Sequence, residues 1–364
     1  MKQESKIGAN EALGLLSMMM SGKIFLSYPR DMAMLGGAAG WIIVLLAGVF
    51  SLAGFYFIYA LIRKFPSRNI IEIGHEAGGP FIGTLTGLLM FLFFLALTSF
   101  ILREYAETYI LTILPRTPIS VISFFLLGIM IYATVLGIEI LTRVAWFFAP
   151  YLLTTLLIIL FFSLSQGNIE NLCPILGTGP LAIFKHSLSH SSIFAEILLF
   201  ALIAPLIRKQ KRLARIGLAS LLIAIIINAI VAMGIVLVFN YREAGRLIFP
   251  IFQLARLITF GEFIQRVESV FVFLWFFAAG VQLCGLFYGT VIGFAGAFKI
   301  KNYRPLVFPL GLLVFTISLL PGSLSSAIQW NDFTLSNYYA MVAFGTPFIL
   351  WFFAAILKKG VKIK

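Results

Sequence analysis

Apolar residues fall into runs of roughly 20 separated by short polar stretches, the length that an α-helix needs to cross the hydrocarbon core of a bilayer. The pattern predicts ten transmembrane helices and therefore an all-α polytopic membrane protein. Their approximate bounds are 9–35, 41–62, 83–112, 118–138, 144–165, 181–207, 213–240, 266–298, 305–321 and 335–357. A further stretch, 247–262, is interrupted by Pro250, Arg256 and Glu262, so we expect an interfacial helix or a re-entrant segment there.

The first apolar run is interrupted near its middle by Ser21, Gly22 and Lys23. A glycine costs about 1 kcal/mol in a helix interior, and a charge at bilayer depth costs at least about 2.5–3.5 kcal/mol. Membrane helices tolerate such an interruption where the freed backbone lines a cavity or a ligand site. The sequence therefore predicts a discontinuous first helix with a ligand site at the break, from Ser21 to Ile24.

The sixth run shows a similar interruption, where the polar stretch 189–192 is followed by Glu196. Spans one and six are five apart and must run in opposite directions. Two five-helix units in inverted topology, each beginning with a broken helix, have this layout. We therefore predict a single transmembrane domain over 1–364, with repeat one at about 9–165, repeat two at about 181–357, and the loop 166–180 as their joint.

Charge distribution gives the orientation. Hydrophobic residues make up 61% of the chain, charged residues only 11%, and the formal net charge is +13. Most Lys and Arg residues lie in the segments on the side of the two termini. The positive-inside rule therefore predicts cytoplasmic termini, and it explains the basic balance without a nucleic-acid partner. Cys173 and Cys284 lie in different settings, which predicts neither a disulfide nor a metal site.

Lys23 and Glu196 are the main candidate site residues, and each has two interpretations. Lys23 either lies inside the bundle at the ligand site or, if span one begins at Ile24, at the cytoplasmic surface. The second choice would leave Arg30 and Asp31 only a few residues inside the span, so we favour the first. Glu196 either contacts ligand or titrates with protonation, or it pairs with Lys23 or a hydroxyl as a structural link between the broken helices.

Spans three and eight supply further candidates. Arg103 and Glu107 are four residues apart and predict an ion pair on one helix face. Thr98 and Leu102 lie closer to mid-depth, where they could face a ligand. Gln282 lies near the middle of span eight and could do the same.

Other polar residues do not point to catalysis. Glu139 and Arg143 predict a surface or gating pair, and three glycines near Gln282 (Gly280, Gly285 and Gly289) predict close helix packing. His186 and His190 have a spacing that can bind metal but lack a third ligand, so capping or pore-lining roles are favoured. The sequence holds no glycine-rich phosphate loop and no nucleophile–base pair. We expect no enzymatic activity, no cofactor and no metal.

Several short motifs together resemble those of a known family. They are Leu26-Ser27-Tyr28-Pro29-Arg30, Phe65-Pro66, Ile70-Ile71-Glu72, Thr117-Pro118, Gly137-Ile138-Glu139, Pro174-Ile175-Leu176, Pro250 and the run from Glu262 to Glu268. In order and spacing the chain resembles the spore germination permeases. These are the B subunits of GerA-type nutrient germinant receptors, in the amino acid–polyamine–organocation superfamily.

The resemblance implies a LeuT/APC-like fold of ten helices with inverted repeats, residence in the inner spore membrane, and a complex with an A subunit and a lipoprotein C subunit. It also implies binding of a small nutrient, often an amino acid. We expect its carboxylate to meet backbone N–H groups near 21–24, and its amine to meet carbonyls of span six and Glu196. The predicted ligand-binding set is Ser21, Gly22, Lys23, Ile24, Thr98, Leu102, Ser191, Ser192, Phe194, Glu196 and Gln282.

A working amino acid transporter of the same superfamily is the competing hypothesis. Related transporters can use a lysine in span five for proton coupling, and span five here has no lysine or other charged residue. Sodium coupling through backbone carbonyls and hydroxyls stays open. A third class, a structural or channel-forming subunit, would leave the pocket without a ligand.

Overall fold

A computed structural model describes residues 6–258 and 267–357 as a nearly all-helical bundle. The first half contains α1 (Ala9–Ser21), α2 (Tyr28–Gly36), α3 (Gly40–Lys64), α4 (Ile70–Thr112), α5 (Ile119–Leu136) and α6 (Ile138–Leu164). The second half contains α7 (Pro180–Ser189), α8 (Leu198–Ile203), α9 (Leu213–Ala244), α10 (Pro250–Leu257), α11 (Val267–Ala297), α12 (Arg304–Ser318), α13 (Leu324–Thr334) and α14 (Thr346–Ile356).

The described residues form eight helical segments that are long and apolar enough to cross a bilayer. Of the remaining apolar helices, α1 has 13 residues and α12 has 15, fewer than the roughly 20 that a full crossing needs. The multi-pass helical architecture is therefore confirmed, whereas the number of ten spans stays a prediction.

Two predicted boundaries were wrong. The third helix begins at Ile70 rather than near 83, because Asn69 caps its first turn and the helix continues through a kink at Gly79. The last helical run begins at Leu324 rather than near 335, and α13 reaches α14 through two π-helical turns. In the stretch 247–262, α10 covers only Pro250–Leu257, and the part from 259 to 266 lies outside the described residues.

Both predicted helix breaks are present, and each extends further along the chain than predicted. In the first span, α1 is followed by a 3₁₀ turn over Gly22–Phe25 and by an extended residue at Leu26. In the sixth, a 3₁₀ stretch over Ser191–Ile197 separates α7 from α8, with non-helical dihedral angles at Phe194. Each 3₁₀ stretch replaces the regular α-helical hydrogen bonds, and carbonyls in it accept from side chains elsewhere in the bundle.

The two broken spans lie antiparallel. Ile7, just before α1, donates its N–H to the Leu206 carbonyl at 2.8 Å and accepts from the Arg208 N–H at 3.0 Å. The start of span one therefore meets the end of span six, while their breaks contact each other through Lys23 and Ile193. This arrangement is the one that an inverted repeat requires, and it closes the end of the bundle where the chain begins.

Close helix packing holds at two of the three predicted glycines. A Cβ atom at Gly289 would approach the Phe94 ring to 2.7 Å, and one at Gly285 would overlap the sulfur of Met19. Glycine thus lets α11 lie directly against α4 and α1. The expectation was wrong for Gly280, where an added Cβ would meet nothing within 4 Å.

Candidate functional site

A buried ion pair joins the two breaks. Lys23 Nζ lies 3.0 Å from Glu196 Oε2 and also donates to the carbonyl oxygen of Ile193. The Lys23 side chain is 12% exposed and that of Glu196 is 1% exposed. Lys23 therefore lies inside the bundle, as favoured from the sequence, and the Lys23–Glu196 link is present.

A chain of hydrogen bonds connects the Glu196 side of this pair to α11 and α4. Gln282 Nε2 on α11 donates to Glu196 Oε1 at 2.8 Å. The Tyr105 hydroxyl on α4 lies 2.6 Å from Gln282 Oε1 and 3.1 Å from the Gly22 carbonyl, so these two acceptors share its single proton. A buried ion pair is tolerated where such hydrogen bonds offset its lost hydration. Four elements thus fix the position of one carboxylate.

Gly22 is required here by space rather than by backbone conformation. Its φ of −57° is ordinary for a helix. A Cβ atom at this position, however, would overlap the Gln282 side-chain amide and would approach the Tyr105 hydroxyl to 3.2 Å. Any side chain at position 22 would therefore displace the residues that orient Glu196.

A second carboxylate lies at the start of α2. Glu104 Oε1 accepts from the Ser27 N–H at 3.0 Å and from the Ser27 hydroxyl at 2.6 Å. The amino-terminal end of a helix favours negative charge, because its first N–H groups point outward unpaired. The Gly22 N–H, by contrast, already donates to the Met19 carbonyl. Within the protein a carboxylate therefore meets the N–H of Ser27 at the start of α2, and contact of a ligand carboxylate with the stretch 21–24 stays a prediction.

A small cavity, here called the outer cavity, lies next to Lys23 and has a volume of about 60 Å³. Its polar lining includes Lys23, Ser27, Asp31, Glu104 and Asp332. Asp31 and Asp332 also line a larger cleft of about 560 Å³ between α2, α4 and α13. The outer cavity therefore adjoins this cleft, at the end of the bundle opposite Ile7.

The other face of the first break lines an apolar cavity of about 410 Å³, here called the lateral cavity. Ser21, Gly22 and Ile24 contribute to it, together with residues of α6 and α9 such as Trp146 and Ile227. The 3₁₀ turn that follows α1 therefore separates the outer cavity, which charged side chains line, from the apolar lateral cavity.

The predicted residues of span six all lie in its break. Ser191, Ser192 and Phe194 are buried, and the Ser191 carbonyl accepts from the Ser51 hydroxyl at 2.7 Å. They are therefore next to the Lys23–Glu196 pair, and contact with a ligand stays a prediction.

The predicted residues of span three lie elsewhere on their helix. The Thr98 hydroxyl donates to the Phe94 carbonyl and lies 3.2 Å from that of Thr290, and Leu102 is fully buried. Neither is among the residues that line the outer cavity, whereas Leu97, Ile101 and Glu104 are. Their contact with a ligand also stays a prediction.

Two predicted ion pairs are confirmed. Arg103 lies 2.7 Å from Glu107, and Arg143 lies 2.5 Å from Glu139. His190 lies 3.3 Å from Asp332 across the outer cavity. Over residues 6–258 and 267–357, no group of three His, Cys, Asp or Glu side chains is arranged to hold a metal ion.

Sequence reasoning missed Tyr105, Ser27 and the inward direction of Glu104. The helical period carried a usable signal: residues 101, 104, 105 and 108 share one face of span three, whereas 103 and 107 share another. This period places Glu104 near Tyr105, but it also places Glu104 three residues from Glu107, so periodicity alone did not decide its direction.

Comparison with known proteins identifies the family. The family profile described as "Spore germination protein" matches residues 6–326. Relatives from Bacillus subtilis (strain 168) include spore germination protein B2, 25% identical over 98% of both chains, and spore germination protein A2, 28% identical over 97% of both. The solved structure of MhsT in complex with L-phenylalanine shares the LeuT-type fold, with a TM-score of 0.67 and 16% identity over 92% of this chain and 87% of that one. The chain therefore belongs to the family of spore germination proteins.

Proposed function

We propose that this protein is the membrane subunit of a nutrient germinant receptor and that it binds a small nutrient, an amino acid, where the two broken helices meet. The observation that carries the proposal is the ion pair between Lys23 and Glu196, which joins the breaks beside the outer cavity. Ligand binding at this point would change the contacts between two half-helices, and a ligand that favours one arrangement shifts the population towards it.

The chemistry around the breaks suits a molecule with both an ammonium and a carboxylate. The Ile193 carbonyl and Glu196 are acceptors for an ammonium, and the Lys23 ammonium is a donor for a carboxylate. MhsT, whose fold this chain shares, is described in complex with L-phenylalanine. The proposed pocket comprises the predicted set above together with Tyr105, Ser27 and Glu104.

We also propose the cellular setting that the family implies. The protein would lie in the inner spore membrane with cytoplasmic termini, next to an A subunit and a lipoprotein C subunit. Support comes from the basic segments on the side of the termini. Genes for an A subunit and a lipoprotein beside this one, and copurification of the three products from spores, would test it. A protein that purifies without either partner would contradict it.

The proposal is tested by Gly22→Trp in spores. The indole would displace Gln282 and Tyr105 and fill the space between the breaks, so the nutrient response should be abolished while the protein still reaches the membrane. Gly280→Ala is the matched control, because a Cβ at Gly280 has open space, and it should respond normally. A normal response of Gly22→Trp spores to every nutrient would mean that the pocket is misplaced.

Amino acid transport is the second candidate function, favoured by the shared fold with MhsT. The stretch of α6 from Val144 onward has no charged residue for proton coupling. We therefore expect purified protein in liposomes to show little concentrative uptake under a proton or sodium gradient. Strong gradient-driven accumulation of an amino acid would favour the transporter instead.

A further inference from the structure

The break in span six contains a position built for an ammonium group. Two acceptors define this position, which we call the cation position: the Ile193 carbonyl, which lies in the 3₁₀ stretch, and the Glu196 carboxylate. Both residues are buried, and Gln282 holds Glu196 from the side away from Lys23. Both acceptors belong to span six, and the donor that holds Glu196 belongs to α11, so their placement does not depend on Lys23. An ammonium group is the partner that a buried carboxylate and a carbonyl share best.

The cation position is already occupied by the chain's own ammonium. Lys23 reaches it from the other break, through a flexible four-carbon stem with three rotatable donors. The same side chain lines the outer cavity, where Glu104 and Asp31 supply further carboxylates. If displaced, the Lys23 ammonium would therefore remain among negative charges.

Charge balance selects the class of molecule that could displace it. A displaced Lys23 needs a counter-ion in place of Glu196, because an unpaired charge in a buried site is costly. Of the two carboxylates named above, Asp31 is already paired with Arg30 and Glu104 already accepts from Ser27. A zwitterion brings its own carboxylate, whereas a ligand with only an ammonium does not. The ammonium of the zwitterion can replace that of Lys23 at Glu196, and its carboxylate can pair with the released Lys23.

We propose that Lys23 is an exchangeable internal occupant of a primary-ammonium site, and that the ligand's amine takes its place between Ile193 and Glu196 while Lys23 turns to the ligand's carboxylate. The identity of that ligand as the nutrient rests on the proposed function above. The exchange moves the Lys23 side chain of span one away from the break in span six. Occupancy of the cation position by a ligand is therefore directly linked to the contact between the two broken helices.

The test uses the full-length protein with Lys23→Ala and n-propylammonium, the part of the lysine side chain that the substitution removes. Propylammonium should raise the thermal midpoint of Lys23→Ala saturably, by about 3 °C or more. n-Propanol and propionate should not. In the wild type the tethered Lys23 competes at millimolar or higher effective concentration, so half-saturation should need at least about ten-fold more propylammonium.

A double variant locates the binding. Lys23→Ala/Glu196→Gln should lose the propylammonium shift, because the carboxylate of the cation position is gone. Lys23→Met, which fills the space of the stem, should be stabilised by ammonium chloride relative to sodium chloride. The proposal is overturned if propylammonium does not stabilise Lys23→Ala and ammonium chloride does not stabilise Lys23→Met. It is equally overturned if neither variant can be recovered folded when purified in the presence of its cation. It is also overturned if the shift survives in the double variant.

Spores separate this inference from the proposed function. A propylammonium shift in Lys23→Ala protein, combined with a normal nutrient response in Gly22→Trp spores, would retain the cation position and reject the nutrient as its occupant. Loss of response in Gly22→Trp spores without any propylammonium shift would retain the proposed function and reject the exchange.

Discussion

The two helix breaks contribute opposite chemistry to the same site. The break in span one supplies a cationic side chain, Lys23, and a glycine that leaves room for Gln282. The break in span six supplies acceptors, namely the Ile193 carbonyl and the Glu196 carboxylate. A break by itself would leave a charged side chain or a carbonyl without a partner inside the membrane, which is costly. Here each break supplies the partner of the other.

The breaks also differ in the side chains that donate hydrogen bonds to their carbonyls. The Gly22 carbonyl accepts from Tyr105, whose hydroxyl also contacts Gln282 and is thus connected to the ion pair. The Ser191 carbonyl accepts from Ser51, whose hydroxyl has one other hydrogen-bond partner among the described residues, the Ala47 carbonyl of its own helix. The first break is therefore coupled to the charged centre, whereas this part of the second is held by a local contact.

Removing the acceptor of the ion pair should have the largest effect. Glu196→Ala leaves the Lys23 ammonium in the bundle without its carboxylate, and breaking a buried pair in this way costs about 3–5 kcal/mol. The thermal midpoint of detergent-purified protein measures the loss. Glu139→Ala is the control, because it breaks an exposed pair with Arg143 worth about 0–1 kcal/mol. Equal losses in the two variants would show that the breaks are not held by this charge pair.

Tyr105→Phe tests the coupling of the first break to the charged centre. The ring is retained, but the Gly22 carbonyl and Gln282 Oε1 lose their donor, which should cost about 1–3 kcal/mol. Tyr109→Phe is a matched control one helical turn away, because its buried hydroxyl has no hydrogen-bond partner among the described residues. It should be neutral or slightly stabilising. A loss in Tyr109→Phe as large as that in Tyr105→Phe would contradict the assigned network.

Ser51→Ala should have the smallest effect of the three. The Ser191 carbonyl loses one donor that it shares with Ala47, so the expected cost is about 0.5–1.5 kcal/mol. Ser123→Ala is the control, since the Ser123 hydroxyl is buried without a hydrogen-bond partner in the described part of the chain. If Ser51→Ala were more damaging than Tyr105→Phe, the second break rather than the first would be the one coupled to the ion pair.

Much of the bundle could be predicted from the sequence. Apolar runs of membrane-spanning length placed most helices, and polar interruptions at 21–23 and 189–192 placed both breaks. Errors arose where helices continue into polar sequence. Capping by Asn69 extends the third helix beyond its apolar part, and hydrophobicity carries no information about such a hydrogen bond.

Composition and spacing alone determined that this chain is a helical membrane protein with two interrupted helices, because a bilayer accepts few other solutions for so apolar a chain. The sequence also identified Lys23 and Glu196 as unusual, since charges in apolar spans are rare. Only the tertiary structure decided that Lys23 reaches the Ile193 carbonyl, that Glu104 turns to Ser27, and that Tyr105 connects the first break to Gln282. These contacts join residues far apart in the chain, so their distances and directions depend on how the helices pack, and helical periodicity limits only which residues share a face.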